Sequence, residues 1–194
     1  MSCARLIALL TLVLLSGTAC TSTPENNFAG KDLRGEDFSN RTLDGFNFSD
    51  AKLNSANFAY VTARRANFAR VVMRTSTAWH SKFVGSNFEG ADLAGVNFSS
   101  CDLSGCNFRG ANLKAANLRS ANLDDADLRD ADLSDTDLRF ARLDLANLKG
   151  ANMTGAQVLT KDDTLDEDGK VKKDAKAGAS KTPVKKAPAE NPGR

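Results

Sequence analysis

Apolar residues, all of them large except Ala63 and Ala78, occur at every fifth position from Phe28 to Val158, which gives 27 consecutive central residues in one unbroken frame. Thirteen of them are Leu and nine are Phe, so the frame carries most of the bulky apolar side chains. A spacing of five matches neither the 3.6-residue period of a helix nor the alternation of a long strand. The pattern therefore predicts very short extended pieces, each followed by a turn.

Each five-residue unit repeats the same order of residue types. A small residue, Ala in thirteen units, stands two positions before the central residue, and Asn or Asp stands between them in nineteen units. Residues two apart in an extended piece point to the same side, so the small and central residues face inward together. The Asn or Asp points outward beside a bend, where it can bond the local backbone. The remaining two positions hold residues such as Gly, Ser, Asp and Arg, and we expect them to form exposed corners.

Tandem units of this kind, such as Ala111-Asn112-Leu113 and Ala126-Asp127-Leu128, resemble the repeats of the pentapeptide-repeat family. From Phe28 to Phe58 the central residues alternate between Phe and Leu, which indicates an even number of units per turn. The resemblance implies four units per turn and an all-β fold, a right-handed quadrilateral β-helix (solenoid) of about 27 pentapeptide repeats over residues 26–160. Residues twenty apart then stack, which predicts a column of Phe at positions 28, 48, 68, 88 and 108.

The first nineteen residues have the pattern of a signal peptide. One Arg is followed by the apolar run Leu6–Leu15 and then by small residues, and the run is short for a membrane span. The junction that ends at Cys20 fits both ordinary signal cleavage and lipid attachment, so both remain open. We predict an exported protein of the periplasm or an outer-membrane-anchored lipoprotein, with any membrane contact made through Cys20. Residues 20–25 are a linker.

The two ends of the repeat region differ from its middle. Lys31, Glu36 and Arg41 occupy inward positions of the first coil, where a charge could not be buried unpaired, so this coil should be an open rim. Phe46 holds an inward position in the next coil and is predicted to plug the core. Residues 161–194 contain eight Lys and no aromatic residue, which predicts a disordered tail.

The residues that could support catalysis are few. His80 is the only histidine, so no second imidazole exists for a metal cluster, and any pair of nucleophile and base would have to be built around this one residue at an exposed corner. We therefore predict no enzymatic activity, no cofactor and no metal site. Cys101 and Cys106 replace Ala at inward positions of consecutive units, where they form either two buried thiols or a disulfide across one corner.

One stretch keeps the repeat frame but departs from the preferred residue types. Val72 replaces Asn or Asp, Ala78 replaces a large central residue, and an aromatic pair fills a corner. Residues 60–90 carry five cationic side chains against one Glu, a net charge of +4. An exposed Trp beside Arg is typical of binding hot spots. The predicted interaction surface comprises Arg64, Arg65, Arg70, Arg74, Trp79, His80 and Lys82.

These features favour a non-catalytic envelope scaffold or protein-interaction module, whose partner is a protein or an envelope polymer. Some members of the family mimic DNA and bind type II topoisomerases, conferring quinolone resistance, and this is an alternative. That role needs a uniformly acidic rod in the cytoplasm, whereas residues 26–160 sum to zero charge behind an export signal. The same neutrality argues against nucleic acid as a ligand. A lumenal protein of photosynthetic membranes and an end-to-end homodimer also remain open.

Overall fold

The computed structural model describes residues 26–158 and the two short segments 164–165 and 171–172. The chain divides into two units, residues 1–160 and residues 161–194, and the described residues 26–158 belong to the first. The predicted signal peptide, the linker residues 20–25 and most of the predicted tail lie outside the described residues.

Residues 26–158 form a four-sided coil. Isolated parallel bridges join residues twenty apart, and they recur every five residues from Asn27 with Asn47 to Asp137 with Gln157. Four five-residue units therefore complete each turn of the coil, as the family resemblance implies. Each extended piece pairs through a single bridge residue, so a β-helix forms in which corners follow one another without longer strands between them.

Each corner is a tight turn with a left-handed residue. In most corners the carbonyl of the central residue accepts from the backbone N–H three residues on, as in Ala51 to Phe48 at 3.0 Å. The residue two after the central one has positive φ at every corner from residue 30 to residue 155. Ten of these residues are Gly and sixteen are not, the latter with φ of 52° to 63°. This order of φ values is that of a type II turn.

The core is built from stacked columns of the central residues. Phe48 lies 4.9 Å from Phe68, which lies 4.9 Å from Phe88, with ring planes within 8° of parallel. Phe38 and Phe58 stack in the opposite column at 4.7 Å. The predicted column is thus confirmed. Where Ala78 interrupts the second column, Phe83 of the next unit packs edge-on against Phe68 at 5.6 Å and helps fill the space.

The outward Asn and Asp side chains secure the corners. The Asn57 side-chain oxygen accepts from the backbone N–H of Ala59 at 3.0 Å, and the same bond recurs along the coil, as predicted. Asn side chains also bond along the columns, as from Asn67 to Asn47 at 3.1 Å. Where Val72 breaks the pattern, the N–H of Arg74 bonds instead to Asn54 of the preceding coil at 3.1 Å. An amide one coil away thus replaces the missing local acceptor.

The first coil is the open rim that the sequence predicts. Lys31 is exposed, and Glu36 and Arg41 are half-buried. Phe46 is half-buried and stacks against Phe28, with ring centroids 6.0 Å apart. The rings of Phe28 and Phe46 therefore cover the end of the Phe column, which the charged residues of the first coil cannot cover.

Two short strands lie in the described segments of residues 161–194. Strand β1, Thr164–Leu165, pairs antiparallel with strand β2, Val171–Lys172. The rest of the predicted tail lies outside the described residues. Within the part of the chain that the structure describes, no helix is long and apolar enough to cross a membrane.

Candidate functional site

The corners stack into four edges that run along the coil, because each corner lies directly above the corner twenty residues earlier. One edge, which we call the aromatic edge, follows the central residues 38, 58, 78, 98, 118 and 138. Its positions are held by Ser39, Asn40, Ala59, Tyr60, Trp79, His80, Ser99, Ser100, Arg119, Ser120, Arg139 and Phe140. None of these residues is acidic, whereas each of the other three edges carries at least one carboxylate.

Three aromatic side chains form a cluster on the aromatic edge. Trp79 packs edge-on against Tyr60 with ring centroids 4.7 Å apart, and the His80 ring lies parallel to Tyr60 at 5.7 Å. Trp79 keeps 37% of its surface exposed and Tyr60 keeps 49%. The cluster therefore offers apolar rings to a partner while its members support one another. His80 is exposed at a corner, as predicted.

A cationic face adjoins this cluster. Arg64 and Arg65 form a corner on the next edge of the coil, and Lys82 lies on the flat side between the two edges, bridged to Thr62. Within residues 26–158 these three cationic side chains form no ion pair. Their charges therefore remain available beside the aromatic rings.

The other two predicted cationic residues lie elsewhere. Arg70 occupies the edge opposite the aromatic edge and makes a double ion pair with Asp50, with both N–O distances 2.8 Å. Hydrogen bonds from this guanidinium hold the pKa of Asp50 below its ordinary value. Arg74 lies on a third edge, 2.5 Å from Asp92. The structure thus brings five of the seven predicted surface residues together and separates Arg70 and Arg74 from them.

A buried hydroxyl shapes the corner that holds Arg64 and Arg65. Ser86 is 1% exposed, donates to the carbonyl of Ala63 at 2.6 Å and accepts from the N–H of Ala66 at 3.0 Å. The Ser86 hydroxyl therefore lies between the carbonyl of Ala63 and the N–H of Ala66. In most other corners the two corresponding backbone groups bond to each other directly. The sequence signal for this feature is a Ser at an inward position that Ala usually occupies.

Cys101 and Cys106 are free thiols in the structure, and both are buried. Cys101 Sγ donates to the carbonyl of Ala78 at 2.8 Å, and Cys106 Sγ donates to the carbonyl of Phe83 at 3.0 Å. Burial raises the pKa of each thiol to about 12. Both thiols therefore stay protonated and unreactive at neutral pH. Each takes the role that Ser86 and other inward hydroxyls take elsewhere in the core.

Sequence reasoning missed one part of the aromatic edge. Phe140 is 40% exposed, and the Arg119 guanidinium lies over its ring at 5.3 Å from the centroid. Arg139 beside it pairs with Asp137, at 2.6 Å between Nη2 and Oδ2. The available signal was the spacing, because Phe140 lies a multiple of twenty residues from Tyr60 and His80. Among residues 26–158, no group of His, Cys, Asp and Glu is placed to hold a metal ion.

Two family models match the chain. The model described as pentapeptide repeats, eight copies, matches residues 27–70, and the model described as pentapeptide repeat region matches residues 81–158. Together they span most of the four-sided coil. No curated relative matches the chain.

Several solved structures of repeat proteins are similar to the chain. One is a pentapeptide repeat protein of the Arabidopsis thaliana thylakoid lumen, with 30% identity over 73% of this chain and 72% of that one and a TM-score of 0.36. Another is Rfr23 from the cyanobacterium Cyanothece 51142, with 20% identity over 71% and 93% of the two chains and a TM-score of 0.33. QnrB1, a plasmid-mediated fluoroquinolone resistance protein, has 18% identity over 68% and 85% and a TM-score of 0.26.

Proposed function

The chain belongs to the pentapeptide-repeat family, and we propose that it is an exported, non-catalytic scaffold that presents a rigid surface to a macromolecule of the cell envelope. Its repeat region is a right-handed quadrilateral β-helix of about 27 units. Family membership supports a structural or interaction role. The signal-peptide pattern of residues 1–19 supports the envelope address.

The observation that carries the proposal is the pairing of exposed aromatic rings with unpaired cations. Trp79 is held against Tyr60 at 4.7 Å, and Arg64, Arg65 and Lys82 lie on the adjoining face and edge. Trp, Tyr and Arg are the residues most enriched in binding hot spots. Backbone hydrogen bonds to the neighbouring coils, such as Arg65 N–H to the carbonyl of Val84 at 2.9 Å and His80 N–H to the carbonyl of Ser99 at 3.1 Å, hold these corners in place, so binding requires little ordering of the scaffold. The expected partner carries negative charge and an apolar or ring-shaped group.

A DNA-mimicking role has less support. Residues 121–147 carry eight Asp and three Arg, a net charge of −5, but the coil between residues 60 and 90 carries +4. A mimic of duplex DNA needs negative charge along its whole length. The cationic face would repel the DNA-binding surface of a topoisomerase. We therefore retain the scaffold as the proposed function.

Changing the cationic and aromatic groups together should abolish partner binding. Trp79→Ala with Arg64→Glu and Arg65→Glu removes the ring and reverses two charges, and none of the three side chains is in the core. Cross-linking in native envelopes, followed by mass spectrometry, should recover a partner with the wild type and lose it with the triple variant. Arg109→Glu with Lys149→Glu, on the edge opposite the aromatic edge, is the matched control, because neither side chain forms an ion pair within residues 26–158, and it should keep the partner. Equal recovery from the triple variant would refute this surface.

Lipid attachment at Cys20 has its own test. We expect Cys20→Ala to abolish incorporation of radioactive palmitate and to release the protein into the soluble envelope fraction, because a stable anchor needs the acylated Cys. Export without palmitate in the wild type would show that Cys20 only follows an ordinary cleavage site. Cytoplasmic protein that retains Met1 would contradict export altogether.

A further inference from the structure

The exposed aromatic residues of the described coil share one edge. Tyr60, Trp79, His80 and Phe140 all lie on the aromatic edge, and the other aromatic rings of residues 26–158 belong to the core or to its first-coil rim. Because Trp79 and His80 share one corner, the four residues occupy three corners, and all three corners lie on this edge. Their common location indicates that this edge has a binding role of its own.

Three of these aromatic residues lie at left-handed corner positions. Tyr60, His80 and Phe140 have φ values of 58°, 56° and 63° at corner positions where ten other units have Gly. Thirteen other corners also hold a residue other than Gly with positive φ, so the conformation alone does not distinguish these three. What distinguishes them is that their side chains are aromatic and lie on one edge.

Side-chain size varies along the aromatic edge in a self-complementary way. The corner of Trp79 and His80 is followed one coil later by the small corner of Ser99 and Ser100. Rotating a second copy by 180° about an axis between these two corners places each large side chain opposite a small one. The facing pairs are Ser39 with Arg139, Asn40 with Phe140, Ala59 with Arg119, Tyr60 with Ser120, Trp79 with Ser99 and His80 with Ser100 of the second copy.

We infer that two copies of this chain pair side by side and antiparallel through the aromatic edge. Arg119 of one copy then faces Ala59 of the other, between the rings of Tyr60 and Trp79, where cation–π contact stabilises it. Because the edge has no carboxylate and no facing pair joins two cations, the contact contains no like-charge pair. The small serine side chains lie opposite the large side chains, so the two copies can approach each other closely, as dense packing requires.

Other side-by-side arrangements fit less well. In a parallel pair each corner meets the same corner of the second copy, so Trp79 and His80 face Trp79 and His80 while the serine corners leave a gap. An antiparallel pair centred on Ser100 places Tyr60 against Phe140. It also leaves a gap at the centre, where Ser99 and Ser100 face the same small residues of the second copy. Only the antiparallel pairing centred between His80 and Ser100 matches large to small over the whole edge. The contact is narrow, so we expect a weak association.

Cysteine cross-linking tests this register. In full-length chains carrying Cys3→Ser and Cys20→Ser, the only native thiols are Cys101 and Cys106, which are buried. A mixture of His80→Cys and Ser100→Cys chains, one enlarged by a fusion, should give a mixed cross-linked dimer with a short bismaleimide. Ala115→Cys, an exposed left-handed corner on another edge, is the control and should give little. Equal yields from the control, or cross-linking of Tyr60→Cys to Phe140→Cys instead, would overturn the proposed pairing.

A size change in the recess tests the same contact without cross-linking. Ser100→Tyr fills the space that receives His80, and Tyr60 shows that a corner of this edge accepts Tyr with positive φ. Sedimentation velocity over a concentration series should show self-association of the wild type and its weakening by about tenfold or more in Ser100→Tyr. Ala115→Tyr should leave it unchanged. A monomeric wild type would contradict the inference. So would association that Ser100→Tyr does not alter, which is the result expected if the copies pair end to end.

This pairing goes beyond the proposed scaffold function and can be separated from it. Arg64 and Arg65 serve the envelope partner and lie outside the paired edge, Ser100 belongs to the paired edge alone, and Trp79 belongs to both surfaces. The double variant Arg64→Glu with Arg65→Glu therefore leaves the paired edge intact. Loss of the envelope partner in this double variant with intact cross-linking would leave the pairing standing. Failure of the cross-link with normal partner recovery would leave the scaffold standing.

Discussion

Phe68→Ala should destabilise the coil by about 3 to 5 kcal/mol, because it removes a large side chain from the middle of the core. Phe68 is fully buried and contacts four other Phe rings. Its ring stacks on Phe48 and Phe88 at 4.9 Å and meets Phe58 and Phe83 edge-on at 5.9 and 5.6 Å. Truncation to Ala leaves a cavity in the middle of the column and removes these aromatic contacts. The coils on either side cannot close it without breaking their own bridges.

Urea unfolding followed by circular dichroism measures this effect. Because repeat arrays can unfold in parts, the midpoint and the slope should be compared together. Phe140→Ala is the matched control, since it makes the same chemical change at a side chain that is 40% exposed, and we expect a change within about 0.5 kcal/mol. Similar shifts for both variants would mean that the stacked column does not hold the coil together.

The repeat frame and the column of rings could be predicted because a strict period carries the same information 27 times. A single unit is too short to identify a strand or a turn. The frame assigns Phe48 and Phe68 to the core and Asn47 and Asn67 to the outside. In the structure both Phe side chains are buried, and a bridge joins Asn47 to Asn67. The number of units per turn came from the family resemblance, because the period of ten required only an even number.

The left-handed backbone conformation of the corners could be predicted from the sequence only in part. Gly at ten corners is a direct signal for positive φ. It was obscured by the sixteen other residues at the same position, including Thr75 and Leu145, which rarely adopt this conformation. The geometry of the coil prevails over the local preference of these residues, because the bonds to neighbouring coils fix each corner.

The interaction surface could be predicted only in part, since sequence proximity is a poor guide to neighbours in a coil of this kind. Arg70 lies near Trp79 in sequence but on the opposite edge, whereas Phe140 lies far away in sequence but on the same edge. Two corner residues lie on the same edge when their residue numbers leave the same remainder after division by twenty. Applied to corner residues as well as to central ones, this rule identifies the aromatic edge from the sequence. Ion pairs such as Arg70 with Asp50 follow from the same rule.

Ala126→Leu should destabilise the coil by about 1 to 3 kcal/mol, for the opposite reason to Phe68→Ala. Ala126 is 1% exposed and faces inward between Cys106 of the preceding coil and Ala146 of the next. Its N–H donates to the carbonyl of Leu123 at 3.1 Å, and its carbonyl accepts from Asn147 at 2.9 Å. A Leu side chain directed into this filled core must either adopt a strained rotamer or push these bonded backbone groups apart.

Ala115→Leu is the matched control for this change, and the comparison tests the frame itself. Ala115 lies eleven residues before Ala126 but occupies an exposed left-handed corner with φ of 54°. Leu145 already fills a corner of the same type, with φ of 60° and 79% of its surface exposed, so this position accommodates Leu. Thermal and urea unfolding should therefore show a loss of stability in Ala126→Leu and a change near zero in Ala115→Leu. The reverse order would place residue 126 on the surface and shift the inward positions of every unit, since one frame assigns all 27.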